Sequence, residues 1–114
     1  MRVIIALPGK PAETREIDNT LESLQKLVGG YIEVLSPVWF EDMALICNEE
    51  GKLLGLPPNR IIKSDIIAGP LIIAGINLKT GEFEDIPEFV EKLIKNTLDK
   101  RLVQEAQEWE NAKS

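Results

Sequence analysis

Ile66-Ile67-Ala68-Gly69-Pro70-Leu71-Ile72-Ile73-Ala74-Gly75-Ile76 decides how this 114-residue chain is read. The stretch is aliphatic apart from Gly69, Pro70 and Gly75. It reads as a strand broken or bulged at Gly69-Pro70, because proline cannot donate to a ladder. A chain that spends its most apolar segment on a strand, and not on a helix, builds its core around a sheet.

On the N-terminal side, Leu56-Pro57-Pro58-Asn59-Arg60 is predicted as a loop, since Pro58 pushes Pro57 away from helical geometry. Before it, residues 43–47 form another apolar run, followed by Asn48-Glu49-Glu50-Gly51-Lys52. That polar stretch with one glycine is expected to be a hairpin turn returning through Leu53 and Leu54. Residues 3–7 are a short apolar strand closed by Pro8-Gly9, with a second strand over 13–17 pairing to it. A helix is predicted next, with Asn19 as N-cap and Glu22 completing a capping box. Its apolar face carries Leu21, Leu24, Leu27 and Val28, and Gly29-Gly30 ends it. Residues 31–35 alternate apolar and polar, as a strand does, and Ser36-Pro37 stops them.

On the C-terminal side, residues 77–81 are a turn. Asp85 is then expected to cap a helix, with Glu88 in the matching capping-box position and Pro87 tolerated in the first turn. Phe89, Val90, Leu93, Ile94, Leu98, Leu102, Val103, Ala106 and Trp109 follow a helical period. The pattern predicts a helix of more than twenty residues whose second half projects from the body. The expected architecture is α+β: a small mixed or antiparallel sheet packed against a short helix, with a long C-terminal helix. Residues 1–80 would form the core domain, and residues 81–114 a helix packing on the core or on an oligomer interface.

The length fits one core. Net charge is −6, with ten acids against eight bases over residues 1–80 and nine against five over 81–114. An acidic chain without a basic run lacks the means to neutralise phosphates, so direct nucleic-acid binding is not expected, nor is binding to anionic membranes. The charge favours solubility, or an acidic surface shown to a basic partner. The apolar run at residues 3–7 is too short for a signal core, and no run approaches the ~20 residues that cross a bilayer, so a cytoplasmic location is expected. The single cysteine excludes an internal disulfide.

Catalytic chemistry is poorly served. There is no histidine, which removes the commonest acid/base near neutral pH and the favoured transition-metal ligand. Cys47 falls in a predicted buried strand with no imidazole to activate it. No phosphate-binding glycine motif and no EF-hand spacing is present. The adjacent pairs Glu41-Asp42 and Glu49-Glu50 lie in polar turns, where solvated charge is the plain reading. The expectation is a non-enzymatic protein without cofactor or metal.

Candidate binding residues are easier to name. Asn48, Glu49, Glu50, Lys52, Asn59, Arg60 and Lys63 concentrate hydrogen-bonding groups on predicted loops. Arg60 offers a planar fork for a carboxylate or phosphate, and Lys52 and Lys63 add point charge. Asn59 can hydrogen-bond a base edge or cap a turn. Gly29, Gly30 and Gly69 would let a ligand approach the backbone, or serve as helix and strand stops. Trp39 and Phe40 would wall a pocket, anchor an interface, or pack a loop onto the core.

The segments Leu21-Glu22-Ser23-Leu24-Gln25-Lys26-Leu27-Val28-Gly29-Gly30-Tyr31-Ile32-Glu33, Leu45-Ile46-Cys47-Asn48-Glu49-Glu50-Gly51-Lys52-Leu53 and Leu56-Pro57-Pro58-Asn59-Arg60, with Asp65-Ile66-Ile67-Ala68-Gly69 after them, resemble the domain-of-unknown-function 3846 family. These are small proteins of phages, plasmids and Gram-positive bacteria, and the resemblance covers roughly residues 1–76. It implies a setting of mobile elements in conflict with a bacterial host, where small proteins act by stoichiometric capture. The leading expectation is therefore a homo-oligomeric binder that sequesters a small anionic molecule such as a signalling nucleotide. The alternative is an acidic interaction protein or DNA mimic that blocks a host defence or restriction protein.

Overall fold

The computed structural model describes residues 1–36 and 42–103. Within them lie strands β1 (Arg2–Ala6) and β2 (Glu13–Glu16), helix α1 (Leu21–Val28), strands β3 (Ile32–Leu35), β4 (Met43–Asn48), β5 (Pro58–Ile62), β6 (Asp65–Ala68), β7 (Leu71–Ile76) and β8 (Phe83–Glu84), and helix α2 (Glu88–Asp99). The main sheet runs β2-β1-β7-β4-β3, every pairing antiparallel, with β8 added to the end of β7. β5 and β6 form a separate antiparallel pair. The architecture is α+β.

The aliphatic stretch divides where proline requires it. Gly69 adopts φ +85° and its N–H donates to Pro57 O at 2.8 Å, so the chain turns from β6 in the small sheet to β7 in the centre of the large one. β7 is apolar throughout because both of its faces are covered. The register aligns Ile4, Ile73 and Leu45 in one row and Ala6, Leu71 and Cys47 in the next, both on one face. Ile5, Ile72 and Ile46 make the corresponding row on the opposite face. α1 covers the second face with Leu24 and Val28. α2 and the β5–β6 hairpin cover the first, with Val90, Ile94, Leu98, Ile62 and Ile67 joining its core. Continuous apolar runs, more usual in parallel sheets, thus serve an antiparallel sheet enclosed on both sides.

Several local expectations are corrected. Thr20, not Asn19, caps α1: its Oγ1 accepts from the Ser23 N–H at 3.1 Å, while the Asn19 amide donates to Phe83 O. Pro87 occupies the cap position of α2 with no side-chain bond, because the Asp85 carboxylate is engaged by the Arg2 N–H at 2.8 Å. Leu53 and Leu54 do not return as a strand, since β4 already has β3 and β7 on its two sides. Residues 58–60 are not loop. Pro58 opens β5 on a bulged register, a position where proline is tolerated.

The largest difference concerns α2, which has 12 residues and ends at Asp99. The chain then reverses. Arg101 O accepts from Ile61 N at 2.9 Å, and Val103 N donates to Asn59 O at 3.0 Å, so residues 101–103 lie along β5. Leu102 and Val103 keep the helical spacing while belonging to a strand-like segment. Ala106 and Trp109 lie outside the described residues. Among the described residues, no helix is long and apolar enough to cross a membrane.

Candidate functional site

The arginine expected to hold an anion is fully buried. Its Nε donates to Leu98 O at 2.8 Å, Nη1 to Asn59 Oδ1 at 2.6 Å and Leu7 O at 3.4 Å, and Nη2 to Lys10 O at 2.6 Å and Asp99 Oδ1 at 3.2 Å. Burial pushes the Arg60 guanidinium below its ordinary pKa, and the hydrogen bond and charge of Asp99 pull it back. Asn59 is buried beside it and donates to Ala6 O at 2.7 Å and Gly69 O at 2.8 Å. Together these two residues tie the β1–β2 turn, the hairpin and the C-terminal end of α2 into one knot. Every donor of the arginine fork faces an internal acceptor.

The remaining candidates are dispersed. Asn48 is buried, its amide on Val28 O at 3.1 Å and its oxygen on the Glu50 N–H at 2.8 Å. Gly30 leaves room for that amide, since a Cβ there would stand 2.9 Å from Asn48 Nδ2. Gly29 is the left-handed C-cap of α1. Lys63 lies at the exposed hairpin tip, where it and Ser64 both take positive φ, as a two-residue hairpin turn of this hand requires. Lys52 is ion-paired with Asp65 and holds that carboxyl below its usual range. Trp39 and Phe40 lie outside the described residues.

What the fold does assemble is a cleft of about 170 Å³ over Cys47. Leu35, Cys47, Leu53, Ile66, Ile67 and Ala68 supply the apolar part of its lining, and the turn after β4 and strand β6 form its walls. Gly51 allows the turn to approach: a Cβ on it would meet Ala68 O at 2.5 Å. Four carboxylates line the cleft, Glu33, Glu49, Glu50 and Asp65, against the single cation Lys52. Glu33 stands opposite Cys47 in the β3–β4 register, which extends the apolar row of Ala6, Leu71 and Cys47 with a charge. The Cys47 thiol is pushed up to about 11, first by burial and then by Glu33 and Asp65, so it stays protonated near neutral pH. Among the described residues, no group of three or more histidine, cysteine or carboxylate side chains is placed to hold a metal ion.

Asn48, Glu49, Glu50 and Lys52 of the expected set do meet at this cleft, while Arg60, Asn59 and Lys63 do not. Glu33, Asp65 and Leu53 belong to it and were missed. The one sequence signal available for Glu33 was its place in an alternating strand, and alternation alone does not reveal the residue across the ladder.

An antiparallel sheet enclosed by one helix on one face and by a helix and hairpin on the other, with an acidic cleft at its β3 edge, defines a small α+β domain. The chain belongs to the family described as Domain of unknown function (DUF3846), whose model matches residues 1–99. The match runs past residue 76 and takes in α2. No curated protein and no solved structure gives a significant match.

Proposed function

We propose that this protein acts by stoichiometric capture of a partner protein, one of whose basic side chains enters the cleft over Cys47. The observation that carries the reading is the charge around an apolar lining: four carboxylates against one lysine, itself paired with Asp65. A lysine or arginine suits such a place, its methylenes lying on Leu35 and Ile67 and its head among the carboxylates. Leu53, 87% exposed at the rim, adds apolar surface for the partner to cover. A cleft of about 170 Å³ is below the roughly 300–1,000 Å³ of small-molecule sites, which favours one long side chain over a nucleotide. The anion reading has less support, because Arg60 is consumed internally and Lys52 is neutralised. The absence of histidine and a thiol held protonated favour occupancy over turnover. Acidic clefts also steer basic partners kinetically. The class of partner proposed is a host defence or restriction protein with an exposed basic segment.

Calorimetry tests this with short lysine- and arginine-containing peptides, ADP-ribose and cyclic dinucleotides as probes, at low and high salt. Basic peptides are expected to bind, more weakly at high salt and more weakly to Glu33→Gln and Glu49→Gln. Nucleotide binding unaffected by those substitutions, with no binding of basic peptides, would overturn the proposal.

A further inference from the structure

We infer that the partner segment binds as an added strand on the outer edge of β3, with its basic side chain placed opposite Glu33. This inference rests on the basic-partner reading above and supplies its geometry. β3 is the last strand of the main sheet, and among the described residues none pairs with its outer side. The N–H of Glu49 donates to Tyr31 O at 2.9 Å, in the same register that sets Glu33 against Cys47 and Leu35 against Leu45. Antiparallel ladders alternate, so residues 31, 33 and 35 turn their backbone polar groups toward β4. Ile32 and Val34 therefore turn theirs toward the open edge. Val34 is also 45% exposed, so its side chain is open to cover by an added strand.

An extended segment hydrogen-bonded to Ile32 and Val34 sets one residue opposite Glu33, on the face that carries the cleft. Side chains so opposed have Cβ atoms about 4.5–5.5 Å apart. A lysine or arginine there meets Glu33 directly and reaches toward Glu49 and Glu50, while its neighbours point to the other face. Main-chain bonds would supply affinity, and the carboxylates would select the side chain, as in other strand-addition complexes. A second copy of this chain is a poor occupant. Two β3 strands paired about a two-fold axis with their faces kept in common set Glu33 against Glu33, against Leu35 or against Tyr31, none of which supplies a cation. The first opposes like charges and the second sets a carboxylate on an aliphatic side chain. The far edge, β2, is already charged, with Glu13 and Arg15 ion-paired along the strand.

The test uses the full chain and a short peptide of alternating valine and lysine, compared with its glutamate counterpart and with versions N-methylated on alternate amides. Calorimetry gives the affinity, and amide hydrogen exchange followed by NMR reports Ile32 and Val34. The lysine peptide is expected to bind and to slow exchange at both amides. N-methylation of the residues facing β3 should weaken it about tenfold or more, as loss of two backbone bonds implies. Glu33→Gln should weaken the unmodified peptide, and the glutamate peptide should not bind. Lysine-peptide binding that ignores N-methylation and leaves Ile32 and Val34 unprotected overturns strand addition while leaving basic capture standing. Failure of every basic peptide overturns both. Dimerisation that protects the same two amides without peptide overturns the choice of occupant.

Discussion

Replacing Arg60 with methionine separates a structural arginine from a ligand-binding one. The substitution keeps the apolar stem and removes the guanidinium with its five hydrogen bonds, although Leu98 O, Leu7 O and Asp99 Oδ1 each keep a backbone N–H donor. Asn59 Oδ1 is buried and loses its donor at about 1–3 kcal/mol, whereas the buried Leu98 O keeps the Arg101 N–H at 3.0 Å. Leu7 O, Lys10 O and Asp99 lie closer to solvent, the Asp99 side chain being 38% exposed, so water replaces much of what they lose. The expected loss is about 2–3 kcal/mol, a sizeable share of the ~5–15 kcal/mol that holds a domain together. At roughly 4 °C per kcal/mol for a chain of this size, the midpoint should fall by about 8–12 °C. Urea unfolding followed by circular dichroism measures this, with the slope checked for constancy. A loss below about 1 kcal/mol would refute the knot. Retained stability with a newly lost nucleotide affinity would return Arg60 to the role expected of it from the sequence.

Gly51→Ala should cost about 1–3 kcal/mol, because its methyl group would meet Ala68 O, and it should weaken peptide binding by moving the cleft wall. Thr20→Ala should remove about 1 kcal/mol by unpairing the Ser23 N–H, whereas Asn19→Ala should leave the α1 cap intact. Cys47 should resist iodoacetamide near neutral pH in the folded protein and react in urea. Its folded pKa of about 11 exceeds the ordinary 9.0, so the folded state holds the proton more tightly. Its contribution to stability is complete below pH 9.0 and disappears as pH rises toward 11, which unfolding measured across that alkaline range would detect.

The sheet was legible because strands announce themselves by composition. Residues 71–76 and 43–47 have no polar side chain to place in water, and the break at Gly69-Pro70 follows from the missing proline donor. Helix ends were less so. Asn19 and Asp85 have the chemistry of caps, but each carries a tertiary hydrogen bond that local spacing does not reveal. The second half of the expected long helix failed for a related reason: apolar spacing at Leu102 and Val103 fits a helix and a strand-like return equally, and pairing with β5 decided it. Asn59 and Arg60 looked like loop residues because prolines precede them. Their burial depends on acceptors from residues 6, 7, 10, 69, 98 and 99, which only the fold brings together. The cleft was half visible. Its turn residues stood out by polarity, while Glu33 and Asp65 became part of it through register.

The position of α2 in the chain bears on synthesis. Ile4, Leu45, Leu71 and Ile73 form a surface that Val90, Ile94 and Leu98 complete, and Arg60 finds Leu98 O and Asp99 only once those residues exist. On the ribosome the strands emerge first and must wait, one side bare, for the helix that closes them. A nascent polypeptide stopped after Lys95 would keep Val90 and Ile94 but lack Leu98 and Asp99, leaving part of that greasy plane open and a cation without its counter-charge. Such a fragment is a natural client for chaperones and proteases, and it could not report on binding.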